Sequence, residues 1–381
     1  MAQYPDVDPK ASPPDHALPP VEPPSARFIV QLFVVPAVIV GLIVVVWLLF
    51  NWVASLGADP SKYVKAMARD NEARWQAAAS LADLLNQPRH AAMKKDPRLA
   101  SELATLLTEE LRRPASEYER TTGKTYINES AKRNTDPKEL AAMLEVYLCR
   151  ALGEMETKEA VPPLLLAANP QTRATTSVRR AAIEGLAVIL SKLPAEEIAD
   201  PAEVRQILFE AAKDPEAQIR LAAAFALGAW KDAESVATLK QLLEDTYPDV
   251  RFNAATGLAR QGDLAALPIV LEMLNPDEID EVLQFLDRGE EVNLPSDLSE
   301  KEKEHIRAAK QESRGERRTL IEVNGLQAAT LIAAAHPDLD TTALRKAIER
   351  LTEDDQLNEV RSRAKAALDA IDKKTPAEAA K

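Results

Sequence analysis

The side chains of this 381-residue chain that could do chemistry are few: four histidines, one cysteine, scattered carboxylate pairs and one basic cluster. No G-x-S-x-G, P-loop, H-E-x-x-H or dinucleotide fingerprint occurs. Carboxylate pairs such as Glu196-Glu197 and Asp354-Asp355 read as exposed loop charges in a chain with 60 acidic against 47 basic residues. Cys149 sits at helical spacing within LEVYLCRAL, where a small buried hydrophobe is expected rather than a nucleophile. A lone cysteine also forbids an intramolecular disulfide and leaves no cysteine cluster for zinc. No catalytic residue, metal ligand or cofactor is therefore assigned. The one group that reads as a partner-binding candidate is Arg307, Lys310, Arg314, Arg317 and Arg318, which could meet an acidic partner or lipid headgroups. The competing reading is a solvated face that pairs with acids nearby.

The elements that would position such groups are helical. With 46% apolar residues but 4% aromatic, and 11 glycines against 26 prolines, the composition argues against a sandwich, a barrel or a doubly wound enzyme. A net charge of -13 leaves no general basic face for nucleic acid, so none is expected as a partner.

Residues 1 to 27 hold eight prolines and almost no large apolar side chains, which predicts a disordered or polyproline-like tail. From Leu32 to Phe50 there follow nineteen residues without a charge or an amide. As a helix they reach about 28 Å, near the thickness of a hydrocarbon core, so residues 28 to 55 are expected to form a single transmembrane helix. Lys62, Lys65, Arg69 and Arg74 outnumber Lys10 and Arg27, which places the larger, following domain on the cytoplasmic side.

Beyond the apolar run the chain repeats itself. VRRAAIEGL at Val178 to Leu186, IRLAAAFAL at Ile219 to Leu227 and VRFNAATGL at Val250 to Leu258 align on Arg179, Arg220 and Arg251. The register recurs as ARWQAAASL at Ala73 to Leu81, VRSRAKAAL at Val360 to Leu368 and, degraded, RTLIEVNGL at Arg318 to Leu326. Counting from the arginine position, places minus one, three, six and seven mark one helical face of small and branched residues. Gly185, Gly257 and Gly325 occupy the sixth place, and the cost of glycine in a helix points to close helix packing there. Each such helix is followed by a second, as Gly262-Asp263 leads into Leu264 to Leu274, so the unit is helix, turn, helix. Asp136-Pro137-Lys138-Glu139 and Asp200-Pro201-Ala202-Glu203 place an N-cap, a first-turn proline and a reciprocal glutamate.

These motifs resemble the HEAT repeat family, in the short bacterial form named after phycobilisome lyases. The resemblance is strongest from Asp214 to Leu274, good at Val178 to Leu190 and Val360 to Ile371, and loose from Tyr63 to Leu166. It implies an all-α fold, an α-solenoid over residues 60 to 372 with the second helices lining a concave surface and a short tail at 373 to 381. It also implies that Asp249 and Arg251 join an inter-repeat hydrogen-bonded ladder, with Arg179 and Arg220 in the same slot. Ser177 and Gln218 stand where the aspartate would be, so that ladder is expected to be incomplete. Between about 276 and 316 the repeat is interrupted by a charged insertion, with eleven acids in Pro276 to Glu304 and five bases in His305 to Arg318. The capping box at Ser299 to Glu302 predicts a solvated helix over about 300 to 313, projecting from one edge.

The function expected from this resemblance is a membrane-tethered scaffold or adaptor for protein partners rather than an enzyme. The alternative is a membrane-anchored HEAT-like enzyme of lyase or metal-dependent hydroxylase type. Deoxyhypusine hydroxylase, a HEAT-like enzyme, holds iron through His-Glu dipeptides, whereas His16, His90, His305 and His336 here precede Ala17, Ala91, Ile306 and Pro337.

Overall fold

A computed structural model describes residues 35–56, 59–69, 74–113, 137–194, 197–198, 200–230, 232–289, 299–353 and 357–373. The tail expected at 1–27, all but Lys373 of the tail expected at 373–381, and His16, Asp136, Glu196 and Asp354-Asp355, lie outside them. The chain divides into two compact units, Met1–Asp59 and Pro60–Lys381.

In the first unit a helix, α1, spans Val35–Leu56. The single-pass membrane localisation expected from this region, and the cytoplasmic placement that followed from it, are corrected: among the described residues no helix is long and apolar enough to cross a membrane. Of the span expected at residues 28 to 55, residues 28–34 lie outside the described residues.

The second unit is built from α2 (Ser61–Met67), α3 (Arg74–Asn86), α4 (Ala91–Lys94), α5 (Pro97–Arg112), α6 (Pro137–Glu154), α7 (Val161–Ala168), α8 (Thr176–Leu190) and α9 (Pro201–Ala211). It continues with α10 (Ala217–Ala229), α11 (Ala233–Leu242), α12 (Pro248–Arg260), α13 (Leu267–Met273), α14 (Pro276–Gly289), α15 (Glu300–Ala335), α16 (Thr342–Arg350) and α17 (Asn358–Asp372). Helix starts follow local chemistry. Asp200 accepts from the Glu203 amide at 2.9 Å, Asp232 from the Ser235 amide at 2.7 Å, and Ser299 and Glu302 close a full capping box.

These helices form a two-layered solenoid. The motif-bearing helices α3, α8, α10, α12, α15 and α17, with α6 between α3 and α8, stack on one another in one layer. The second helices α5, α7, α9, α11, α13 and α16 pack on that layer but touch one another sparingly. The repeat pattern explains the difference. Val178, Ala182 and Leu186 of α8 are buried, as are Ile219, Ala223 and Leu227 of α10 and Val250, Ala254 and Leu258 of α12. At the crossings glycine meets glycine: a methyl on Gly153 would lie 2.6 Å from the Cα of Gly185, and one on Gly228 would lie 2.8 Å from that of Gly257. A layer whose helices approach this closely, beside one whose helices stand apart, curves toward the tighter side. The motif helices, not the second helices, therefore form the inner face.

The insertion departs from expectation in two ways. α15 runs unbroken for 36 residues from Glu300 to Ala335, about 54 Å, so the charged helix and the degraded repeat are one helix. No proline occurs between Ser299 and Pro337, just past its end, and Gly315 alone is too weak a breaker. Nor does all of the insertion project from an edge. Its first part is α14, whose Ile279, Val282 and Leu283 bury against Phe252, Met273 and Ile321 in a small cluster separate from the main core.

Candidate functional site

The arginines of the repeat do form a ladder, though not with the expected partners. Arg179 Nη2 lies 2.7 Å from Asp214, Arg220 is bidentate to Asp245 at 2.7 and 3.0 Å, and Arg251 Nη2 lies 2.6 Å from Glu272. Arg220 also donates to the carbonyls of Asp214 and Pro215, both at 2.9 Å, and Arg251 to that of Asp245 at 3.2 Å. Asp214 and Asp245 thus each tie one repeat to the next. Asp249, which the resemblance put in the ladder, pairs instead with Arg317 of α15 at 3.1 Å. The gaps at Ser177 and Gln218 leave nothing missing, because the acids come from the turns that lead into the following motif helices.

Burial raises the pKa of Asp245, but the Arg220 pair and the Tyr247 amide outweigh it and hold the carboxyl below its ordinary 3.8. A lowered folded value means that its stabilisation is fully present above the unfolded pKa and is lost as pH falls through the folded one. In thermal melts the gap in stability between wild type and Asp245→Asn is therefore expected to be widest near neutrality and to close below about pH 4. A constant gap down to acid unfolding would contradict that assignment.

The basic candidates are placed along α15. Arg314 pairs with Asp287 at 3.0 Å and with Asp280 at 3.8 Å, Lys310 with Asp287 at 3.6 Å, and Arg318 with Asp280 and Glu322, each at 3.1 Å. Arg317 holds Asp249, and Arg307 stands exposed. Four of the five candidates are thus spent within the chain, chiefly on α14, which is the competing reading of the sequence. Glu322 is buried, which raises its carboxyl pKa even though Arg318 bonds to it.

The groups that could support catalysis are dispersed. Cys149 is fully buried, and burial pushes its thiol far above the range in which a thiolate forms. His336 Nε2 lies 2.6 Å from the carbonyl of Gly262, a residue with φ of 71°, and so ties the end of α15 to the turn after α12. Among the described residues no group of three or more His, Cys, Asp or Glu could hold a metal ion.

Among the described residues two grooves have the shape of a binding site: one of about 630 Å³ between α5 and α7 on the outer layer, and one of about 410 Å³ on the inner face, lined by α8, α10, α12, α13 and α15, which is the more apolar of the two. The lining of the inner groove comes mainly from the first and fifth places after the arginine. Leu221, Phe252 and Leu320 hold the first, and Phe225 holds the fifth beside Glu184, Thr256 and Asn324. Leu320 is 60% exposed and Leu221 and Phe225 are half-buried, whereas Phe252, Met273 and Ile321 are buried, so the apolar floor is open to solvent in part. Two ion pairs form the rims, Arg180–Glu184 at 2.8 Å and Asp249–Arg317 at 3.1 Å. A smaller hollow over the Gly153–Gly185 crossing shares Glu184 and Val188 and continues the face toward α3. The sequence carried a signal for this groove: leucine and phenylalanine at the first and fifth places, off the stripe of places minus one, three, six and seven.

Residues 205–284 match the sequence model of the family described as HEAT repeats. No curated protein matches the chain. Among solved structures the chain is similar to the complex of CpcE and CpcF of phycocyanin lyase from Nostoc sp. PCC7120, at 15% identity and a TM-score of 0.39, over 82% of this chain and 95% of that one. It is similar to a designed armadillo repeat protein at 17% identity and a TM-score of 0.28, over 77% of this chain and 99% of that one. It is also similar to human deoxyhypusine hydroxylase in complex with glycerol, at 17% identity and a TM-score of 0.26, over 78% of this chain and 97% of that one.

Proposed function

We propose that this HEAT-repeat solenoid is a scaffold or adaptor that holds a protein partner in the groove of its inner face. The observation that carries the reading is the apolar floor of exposed Leu320 and half-buried Leu221 and Phe225, framed by two ion pairs. Such a floor gains from covering apolar area, roughly 25 cal/mol for each Å² removed from water, and the rims confer orientation more than affinity. Stacked repeats supply a rigid face of this kind without any one helix pair having to fold alone.

On this reading the chain is not an enzyme. Its support is that the carboxylates at the groove, Glu184 and Asp249, are each engaged by an arginine rather than poised beside an open position. The reading calls for no cofactor and no nucleic acid.

The test is a comparison of captured partners between wild type and Phe225→Asp/Leu320→Asp. A charge in the apolar floor is expected to weaken capture by at least about tenfold, while the helical signal and melting midpoint of the solenoid change little. Undiminished capture by the folded variant would sink the groove as the binding surface.

A further inference from the structure

We propose that α14 is an intramolecular occupant of the inner face, and that the partner this face takes is a helix of the same chemistry: apolar at three turn-spaced positions and acidic alongside. The inference rests on the reading above that the inner face binds protein segments, and it names the kind of segment. Four observations converge on it.

The solenoid does not need α14 for continuity, because α15 packs directly on both α12 and α13. α14 is an extra helix between a second helix and the next motif helix. Its apolar contact is also confined, since Ile279, Val282 and Leu283 form with Phe252, Met273 and Ile321 a cluster apart from the main core. Those last three residues line the open groove as well, so the groove and the seat of α14 are one continuous surface. Finally, charge complementarity sets the chemistry of the occupant. Asp280 and Asp287, seven residues apart on one face of α14, meet Lys310, Arg314 and Arg318 on α15.

The contacts suit an occupant that can leave. The ion pairs are partly exposed, with Asp280 at 46% and Lys310 at 45%, and pairs of that kind contribute little. Phe285 of α14 remains 47% exposed, edge-on to a Tyr247 that is itself 45% exposed. A helix seated by one small apolar cluster and by surface charges is the pattern of helix-in-groove recognition, with anchors at i, i+3 and i+4. Held in cis, α14 competes with any such helix arriving in trans, so the apparent affinity of the partner falls by the fraction of molecules in which the seat is free.

The probe is a labelled synthetic peptide of residues 276–289, titrated against the full chain by fluorescence anisotropy. Two variants release α14 in different ways: Ile279→Asp/Leu283→Asp removes its anchors, and Asp280→Lys/Asp287→Lys turns its charge pairs into repulsions. Both released variants are expected to bind the peptide at least about tenfold more tightly than wild type does. A peptide carrying Ile279→Asp/Leu283→Asp is expected to bind neither. Circular dichroism identifies a variant that has lost the solenoid, and the other variant then decides. Equal peptide affinity for wild type and a folded released variant would overturn the proposal, as would no binding to either. Loss of partner capture in Phe225→Asp/Leu320→Asp without peptide binding would leave the groove standing and remove only the helical identity of its partner.

Discussion

Replacing Gly153 with alanine is expected to destabilise the solenoid by about 2 to 3 kcal/mol, although alanine is the better helix former. The added methyl would sit 2.6 Å from the Cα of Gly185, and a backbone atom cannot rotate away as a side chain can. α6 and α8 would have to separate along a crossing where Leu148, Leu152, Ile183 and Leu186 are fully packed. Gly228→Ala meets Gly257 in the same way at 2.8 Å. The control is Gly315→Ala on the same chain. Nothing lies within 4 Å of its added methyl, so helix propensity alone acts and a gain of about 0.5 to 1 kcal/mol is expected. Opposite signs for one chemical change, read as shifts in denaturation midpoint at constant slope, would locate the effect in packing. Because solenoids couple mainly neighbour to neighbour, hydrogen exchange is expected to accelerate first in α6 and α8. Stabilisation by Gly153→Ala would show that the helices do not approach as described.

Arg220→Ala is expected to cost about 3 kcal/mol, at the low end for breaking a buried ion pair. Its side chain is 14% exposed and that of Asp245 is 8% exposed, so the carboxylate would be left largely out of water without its bidentate partner. The carbonyls of Asp214 and Pro215 lose a donor at the same time. Arg363→Ala provides the comparison. Its pair with Glu359 is exposed at 55% and 58%, and its loss is expected to stay within about 0.5 kcal/mol. Equal effects of the two substitutions on the denaturation midpoint would mean that the ladder is decorative.

Much of this architecture could be read from the chain. In α8, α10 and α12 places minus one, three, six and seven after the repeated arginine are buried, with place four beside them, and glycine at the sixth marks tight crossings. What local pattern could not reveal were the partners. Gly185 meets Gly153 and Gly257 meets Gly228, and the second member of each pair lies outside the sixth place of any motif. Asp214 and Asp245 look in sequence like helix-start residues, and only stacking brings them to arginines 35 and 25 residues away. The basic cluster was visible as composition, but not the fold of α14 back along α15 that neutralises most of it. The apolar run near the amino terminus was read from hydropathy alone, and no helix among the described residues is long and apolar enough to cross a membrane. The groove was legible in principle, at Leu221, Phe225, Phe252 and Leu320, but those residues pass for ordinary helix-face hydrophobes until the inner face is known.

Which face of the solenoid meets a partner is reported directly by site-specific photocrosslinking. A benzophenone amino acid is placed at Leu320 in the inner groove in one protein and at Thr108, on the outer groove between α5 and α7, in another. The account predicts a discrete crosslinked protein adduct from position 320, lost when Phe225→Asp is added, and none from position 108. Adducts from position 108 alone would contradict it and move the binding surface to the outer layer.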